Sequence, residues 1–334
     1  MTSYSFRRSG ERPGYATAAT ENKQANHAPA ETQTRQNNRK RARGVNDGRD
    51  RYERGAATVK PPRFEYHRPE AVEDALQIMA EHRDQAKPLA GGQSLVPLLA
   101  TRQARPSHIV DLQRVAELRQ ISVADGYLRF GAMTRHRDIE RDPRMPGLVK
   151  AAVPHIGPFQ IRNRGTVGGS LSHMDPAAEW PALALVLNAV MVAASVRGRR
   201  AIAADDFMIG PQMTALAPDE LLVEVVVPIH HEGFGFAEVT RRGMGDFALV
   251  GAACQGTAVA VFGTGARPQR LSAVEEFLES GGGTRADVSA LAASEIQATG
   301  DIRASSDYRR EVAATLVGTV VEASETSRAG FAWS

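Results

Sequence analysis

L-A-G-G-Q-S-L at residues 89–95 and N-R-G-T-V-G-G-S-L at residues 163–171 share one pattern. Each places a Gly-Gly pair before a hydroxyl residue, between a strand-like and a helix-like segment. Because glycine has no Cβ and accepts positive φ, consecutive backbone N–H groups can converge on phosphate oxygens. The hydroxyls of Ser94, Thr166 and Ser170 would add side-chain donors. One such loop suits one phosphate, so the pair predicts a pyrophosphate site.

Two other interpretations of the glycines have to be weighed. Either loop alone is equally well explained as a tight turn, and only the shared pattern favours phosphate. The chain has no G-x-x-x-x-G-K-[ST] motif of the P-loop type. A doubly wound fold that binds NAD is disfavoured as well, because the nearest dinucleotide fingerprint is the poor match G-M-G-D-F-A at 243–248. Strand-like sequence follows that segment, and no acidic residue lies between Asp246 and Glu275 to bind a ribose.

Strand and helix patterns alternate around the glycine loops. Asp125–Gly126 lies between alternating apolar residues, which is typical of a hairpin. The expected order is strand 64–66, helix 69–82, strand 87–90, helix 95–101, strand 108–112, hairpin 121–133, helix 179–188 and strands 190–196 and 221–227.

A second region begins near residue 233. Three strand-like runs separated by glycine, at 238–242, 247–253 and 257–263, precede helical patterns at 271–280, 286–298 and 306–323. We therefore expect an α+β fold with one domain at 59–232 and a smaller one, an antiparallel sheet plus helix bundle, at 233–334.

The charge of the chain is concentrated at its N-terminus. Residues 1–58 hold twelve Lys/Arg against six Asp/Glu, a net charge of +6, and subtracting this from the total of +3 leaves −3 for residues 59–334. Few large apolar residues occur in the tail, so we expect it to be disordered. It is either a solvated tail, a segment that touches RNA through the basic run 39–43, or an extension upstream of a translation start near Val59.

Cysteine and hydropathy exclude several classes of protein. The only cysteine, Cys254, excludes a disulfide framework and any iron–sulfur cluster held by four cysteines of this chain. No stretch approaches the roughly 18 apolar residues of a membrane span. Polar residues follow Arg7 and Arg8, so a twin-arginine signal is not expected, and we predict a cytoplasmic protein.

Several longer stretches resemble the medium, FAD-binding subunit of molybdenum hydroxylases. They are K-P-P-R-F-E-Y-H-R-P at 60–69, A-G-G-Q-S at 90–94, I-R-N-R-G-T-V-G-G-S-L-S-H-M-D-P-A-A-E-W-P-A at 161–182, G-D-F-A-L-V-G-A-A at 245–253 and D-I-R-A-S-S-D-Y-R-R at 301–310. The nearest sub-type is the medium chain of aerobic carbon monoxide dehydrogenase, and the flavin domain of xanthine dehydrogenase is a more distant relative.

The resemblance implies a fold and a set of cofactor-binding residues. The fold would be a two-part FAD-binding domain of the PCMH/vanillyl-alcohol-oxidase type, followed by a small C-terminal flavoprotein domain. Glu179 would face the adenosine part, Asp175 would either share that role or cap the helix after Pro176, and Leu222 and Phe247 would lie near the isoalloxazine edge. The pyrophosphate loops would be formed by Leu89, Ala90, Gly91, Gly92, Gln93, Ser94, Leu95, Val96, Thr166, Val167, Gly168, Gly169 and Ser170.

The chain also departs from the family pattern. The family reads R-R-x-G-D where this chain has R-R-G-M-G-D at 241–246, which blurs the ring-side assignments. Gln93 follows the first glycine pair, whereas some flavoproteins of the wider fold tether FAD through a histidine at this point, so noncovalent FAD is expected. The histidines, including His155 and His173, form no metal-spaced cluster in the sequence, and we expect no metal site and no catalytic residue.

The resemblance further implies partners and an electron path. A large subunit would carry the molybdenum cofactor and a small subunit the 2Fe–2S clusters, in a dimer of heterotrimers. The chain would relay electrons from those clusters through FAD to an external acceptor. The alternatives are a stand-alone FAD oxidoreductase of the same fold and an RNA-associated protein; the acidic body and the lack of aromatic RNA-binding motifs argue against nucleic acid as a partner.

Overall fold

The N-terminal part of the fold is a small parallel sheet covered by a helix. A computed structural model describes residues 61–229 and 233–331. Its first five elements are β1 (Glu65–His67), α1 (Val72–His82), β2 (Ala86–Leu89), α2 (Leu95–Ala100) and β3 (His108–Asp111). The strands pair in the order β1-β3-β2, all parallel. The apolar face of α1, spaced at three and four residues, packs on this sheet through Val72, Ala75, Leu76 and Met79.

The middle of the chain forms an antiparallel sheet covered by helices. Five strands pair in the order Ile121–Ala124, Tyr127–Gly131, Leu221–Pro228, Val190–Ser195 and Gly198–Ala203. Every residue of the helix that begins at Glu179 is buried, and Trp180 lies in the largest core cluster. The elements are β4 (Ile121–Ala124), β5 (Tyr127–Gly131), α3 (His136–Arg141), α4 (Gly147–Ala152), α5 (Phe159–Arg162), α6 (Val167–His173), α7 (Glu179–Val186), β6 (Val190–Ser195), β7 (Gly198–Ala203), α8 (Ala204–Phe207), β8 (Met208–Gly210), β9 (Met213–Thr214) and β10 (Leu221–Pro228).

The C-terminal part is a second antiparallel sheet with three helices. Its elements are β11 (Phe234–Thr240), β12 (Ala248–Gln255), β13 (Ala258–Phe262), β14 (Gln269–Arg270), α9 (Ser272–Glu279), α10 (Arg285–Glu295) and α11 (Ser306–Phe331). The strands pair in chain order, and α11 packs on β11 and β12 through a core that includes Val317 and Val320. Gly235 allows the close approach, because a Cβ there would meet the backbone of Val320 at 2.7 Å.

The structure confirms the order of the predicted elements and moves some of their ends. The helix expected from residue 69 begins at Val72, because Ala71 is still extended, with φ −114° and ψ 156°. The strand expected at 64–66 lies at Glu65–His67. The last helix, expected to end at 323, continues to Phe331.

Contacts place all of the described residues in one unit. The expected disordered tail, residues 1–58, lies outside the described residues. Among the described helices, none is long and apolar enough to cross a lipid bilayer.

Candidate functional site

The two glycine loops predicted from the sequence lie directly against each other. The first loop leaves the end of β2, and the second leads into α6. A Cβ on Gly91 would lie 2.7 Å from the carbonyl carbon of Arg164 and 2.8 Å from Gly165 Cα. Only glycine permits this backbone contact. The structure therefore brings the two loops into one site.

The second loop is held in place by its own hydrogen bonds. Thr166 caps α6, with its Oγ1 accepting a 3.0 Å hydrogen bond from the amide of Gly169. The amides of Val167 and Gly168 donate to the carbonyls of Thr134 and Ala132 at 3.0 and 2.9 Å. A Cβ on Gly168 would lie 2.7 Å from the Ala132 carbonyl oxygen. The loop is thus rigidly preorganised before any ligand arrives.

The first loop keeps polar groups near the surface. Gly92 has a φ of +75°, which turns the chain sharply between β2 and α2. The Gln93 side chain closes the turn by donating to the carbonyl of Gly91 at 3.0 Å. Ser94 stands at the N-cap of α2 but makes no side-chain cap bond. Its hydroxyl is therefore able to donate to a ligand.

A narrow cavity between the loops is lined by cationic side chains. It contains residues of both loops together with arginines from two further segments, so its walls suit an anion. The lining residues are Ala90, Gly91, Gln113, Arg119, Met133, Arg135, Arg164 and Thr166. The three arginines of this lining suit the negative charge of a diphosphate held against the two glycine loops.

A buried aromatic pair supports the second loop from behind. The amide of His136 donates to the Gly165 carbonyl at 3.0 Å, and its imidazole Nδ1 accepts a hydrogen bond from Trp180 Nε1 at 3.1 Å. Burial, and secondarily the charge of Arg162, lowers the pKa of His136 to about 3. The ring is therefore neutral at pH 7. Sequence patterns did not reveal this pair, because its members are 44 residues apart.

The two acidic residues expected near the adenosine lie at the start of α7. Asp175 Oδ1 accepts from the amide of Ala177 at 2.9 Å, so it closes a turn ahead of the helix. Glu179 is only 6% exposed, and burial, followed by the charges of Glu238 and Asp175, raises its pKa to about 8. Glu179 is thus protonated at pH 7 and able to act as a hydrogen-bond donor.

Glu238 of β11 extends this buried acidic group. Its Oε1 lies 3.0 Å from His155 Nδ1, whereas its buried Oε2 has no partner within the described residues. His155 is half-buried, and its ring packs edge-on against Phe236 beside this buried carboxylate. His173 is the half-buried last residue of α6.

The two residues expected at the flavin ring have opposite environments. Leu222 is 5% exposed and packs in the main core, but it adjoins a bulge in β10, where the register shifts between Leu222 and Glu224. Phe247 is 67% exposed and follows a loop with positive φ at Gly243 and Gly245. The exposed side chain of Phe247 can contact a ligand or a partner. The side chain of Leu222 is buried, so Leu222 could contact a ligand only through its backbone.

The structure also groups three histidines that the sequence analysis did not connect. His67, His82 and His108 each offer a ring nitrogen, and the three atoms lie within 4.8 Å of one another. Their separations of 15 and 26 residues match no metal motif, which explains why the expectation of no metal-spaced cluster did not anticipate them.

Comparisons with known proteins identify the family of the chain. Residues 62–230 match the family described as the FAD binding domain in molybdopterin dehydrogenase. The chain is 39% identical to the nicotine 6-hydroxylase medium subunit of Paenarthrobacter nicotinovorans, over 79% of this chain and 99% of that one. It is 41% identical to the carbon monoxide dehydrogenase medium chain of Hydrogenophaga pseudoflava, over 58% of this chain and 69% of the relative.

A solved structure gives the same result. The chain superimposes on a structure of carbon monoxide dehydrogenase from Hydrogenophaga pseudoflava with a TM-score of 0.75 and 33% identity, covering 80% of this chain and 99% of that one. The mixed helix and sheet fold is thereby confirmed, as is the resemblance to the FAD-binding subunit of molybdenum hydroxylases. This chain belongs to the family of FAD-binding domains of molybdopterin dehydrogenases.

Proposed function

We propose that this chain is the FAD-binding subunit of a molybdenum-hydroxylase-type dehydrogenase and relays electrons from 2Fe–2S clusters of a small subunit to an external acceptor. The observation that carries the proposal is the contact between the two glycine loops, where Gly91 lies against the backbone of Arg164 and Gly165. This contact would build a site for a diphosphate, and the family match supports FAD as the ligand.

The loop residues would hold the diphosphate noncovalently. Backbone amides of residues 90–94 and the hydroxyls of Ser94 and Ser170 would donate to it, while Arg135 and Arg164 balance its charge. No histidine stands at position 93 to form a covalent tether. When bound, FAD supplies a ring that accepts single electrons and can pass on one or two.

The remaining predicted residues would orient the other parts of FAD. Protonated Glu179, with Asp175 beside it, would face the adenosine side, and its burial favours a hydrogen bond donated from the carboxyl group. Leu222 would offer its backbone at the β10 bulge, and the exposed ring of Phe247 would cover an edge of the isoalloxazine. None of these residues needs to act as an acid, a base or a nucleophile.

The finer architecture is part of the same proposal. Residues 59–232 would form the two-part FAD-binding domain of the PCMH type, with the parallel sheet as one part and the antiparallel sheet as the other. Residues 233–334 would form the C-terminal flavoprotein domain. The separate core between the second antiparallel sheet and α9, α10 and α11 supports this division.

Partner subunits would carry the other redox centres. Relatives bear names such as medium subunit and medium chain, which imply larger and smaller partners in those proteins. A large subunit with the molybdenum cofactor and a small 2Fe–2S subunit would assemble with this chain as a dimer of heterotrimers. The substrate would be set by the large subunit, since relatives of this chain are named for nicotine and for carbon monoxide.

Co-expression with the neighbouring genes tests this function. A pull-down through the full chain should recover a molybdenum-containing large chain and a cysteine-rich small chain, and the complex should show flavin absorbance. Substrate should bleach the flavin in the complex but not in the isolated yellow subunit. A yellow monomer that turns over substrate alone would favour a stand-alone oxidoreductase, and a colourless complex would overturn the proposal.

A further inference from the structure

We propose that His67, His82 and His108 bind a divalent transition-metal ion of the zinc class. One ring nitrogen of each histidine lies within 4.8 Å of the other two, and all three side chains are half-buried. This site is separate from the glycine loops and from every residue assigned to FAD.

The fold brings these residues together from three elements. His67 is the last residue of β1, His82 the last of α1, and His108 the first of β3. In the parallel register, Glu65 pairs with His108, and His67 lies two positions further along the same face of β1. The end of α1 places the third imidazole over that face.

Two of the three nitrogen atoms already lie close together. His67 Nε2 and His108 Nδ1 are 3.0 Å apart, so one of them donates a proton and the other presents a lone pair. A tetrahedral ion with bonds of about 2.0–2.1 Å to nitrogen separates its ligands by about 3.3 Å. Replacing the shared proton with an ion therefore requires only a small movement of these two rings. Imidazole favours zinc, copper and nickel over magnesium or calcium.

The surroundings favour a cation. The Glu65 carboxylate lies 3.9 Å from His67 Nε2 and 3.7 Å from His108 Nδ1, within reach of a fourth coordination position. His82 also stands at the C-terminus of an eleven-residue helix, where the partial negative charge of the helix dipole is located. Both features would lower the energy of a bound positive charge.

Metal binding should change the packing of two of the rings. The His82 and His108 rings stack with their centroids 3.6 Å apart and an interplanar angle of 8°. A ligand lone pair lies in the ring plane, so two parallel rings cannot both aim at one ion between them. The His82 ring must tilt out of the stack as the ion enters. The ion would then tie β1 and α1 to β3, in the sheet whose β2 leads into the first glycine loop.

Zinc titration of the purified full chain tests the site. The protein is made without a polyhistidine tag, retains its flavin and is treated with a chelator before isothermal titration with zinc chloride. We expect one ion per chain. His82→Gln and His108→Gln should each weaken zinc binding at least tenfold, because each removes one of three nitrogen ligands. The adjacent pair His230 and His231 supplies the control, and the double variant H230Q/H231Q should bind zinc like the wild type.

Cobalt substitution provides a second measurement that needs no variant. Cobalt(II) in a tetrahedral site of nitrogen and oxygen ligands has a strong visible spectrum, whereas an octahedral surface ion has a weak one. The wild-type chain should show the strong spectrum, and zinc should displace it. The proposal is overturned if the wild type binds no zinc, if its cobalt spectrum is octahedral, or if H230Q/H231Q loses the ion while the His82 and His108 variants keep it.

Discussion

Trp180 Nε1 donates a 3.1 Å hydrogen bond to Nδ1 of His136, and both side chains are buried behind the second glycine loop. Because Nδ1 accepts, the neutral ring carries its proton on Nε2. Protonation of Nδ1 would break the bond and leave a charge in the core. The stability of the packing behind the second glycine loop should therefore decrease at acidic pH.

The first prediction concerns the pH dependence of stability through His136. Its folded pKa, about 3, lies below the ordinary value of 6.5, so only the unfolded chain takes up this proton between those pH values. The free energy of unfolding should fall by about 1.4 kcal/mol per pH unit below 6.5 from this residue alone. His136→Gln keeps an acceptor for Trp180 and removes the titration. Urea unfolding from pH 7 to pH 5 would measure the difference in slope.

Glu179 should oppose His136 in the same pH range. Its folded pKa, about 8, lies above the ordinary value of 4.5, so only the folded chain holds this proton between those values. Its contribution to the free energy of unfolding is complete below pH 4.5 and is lost as the pH rises to 8, again by about 1.4 kcal/mol per unit. Glu179→Gln retains a neutral donor and should abolish this slope.

The opposite signs make the two variants controls for each other. Between pH 5 and 6.5 the two slopes nearly cancel in the wild type. Acidification across this range should therefore destabilise Glu179→Gln, by about 2 kcal/mol, and stabilise His136→Gln by a similar amount. Equal slopes in the two variants would contradict the protonation states inferred for both residues.

Gly91→Ala should prevent FAD from binding. The new methyl group would overlap the backbone of Arg164, so the two loops would have to separate, at a cost of about 1–3 kcal/mol in stability and with the loss of the diphosphate site. Gly210→Ala is the matched control, because a Cβ at that position meets nothing within 4 Å. The ratio of flavin to protein absorbance should fall for Gly91→Ala alone. Full flavin content in that variant would show that the loop contact does not build the site.

Much of the fold could be predicted because the decisive signals are local. The alternation around Asp125–Gly126 and the apolar run that became α7 each reflect one packing face, and both elements formed where expected. β7 was not anticipated, because four of its six residues, from Gly198 to Ala201, are exposed and lack an apolar–polar alternation. This strand forms because it pairs with β6, and the sequence of β7 alone does not reveal that pairing.

The site was predictable only where glycine marks a close approach. The glycine pairs identified both loops, but the arginines around them come from distant segments and have no sequence pattern. The histidine group and the His136–Trp180 pair depend equally on tertiary contacts. A site whose residues come from separate helices and strands can be recognised only when the fold is known.

The fourth prediction concerns Arg309, which lies in the stretch D-I-R-A-S-S-D-Y-R-R that carried part of the family resemblance. Its buried guanidinium donates to the carbonyls of Leu249 and Gly263 and pairs with Asp301 Oδ1 at 2.8 Å. These bonds connect α11 to β12 and to the turn after β13. Arg309 therefore has a structural role, since none of these contacts involves the glycine loops.

Arg309→Met should destabilise the chain by about 3 kcal/mol, because it strands two buried carbonyl oxygens and removes the cation paired with Asp301. Arg310→Met is the control: its half-exposed guanidinium pairs with exposed Asp307, and the loss should stay below about 1 kcal/mol. Thermal unfolding of the two variants would compare these values. If Arg309→Met unfolds at the wild-type temperature, the hydrogen bonds and the ion pair of Arg309 do not stabilise the packing of α11. If it unfolds earlier but still binds FAD at low temperature, the C-terminal sheet is stabilised independently of the cofactor site.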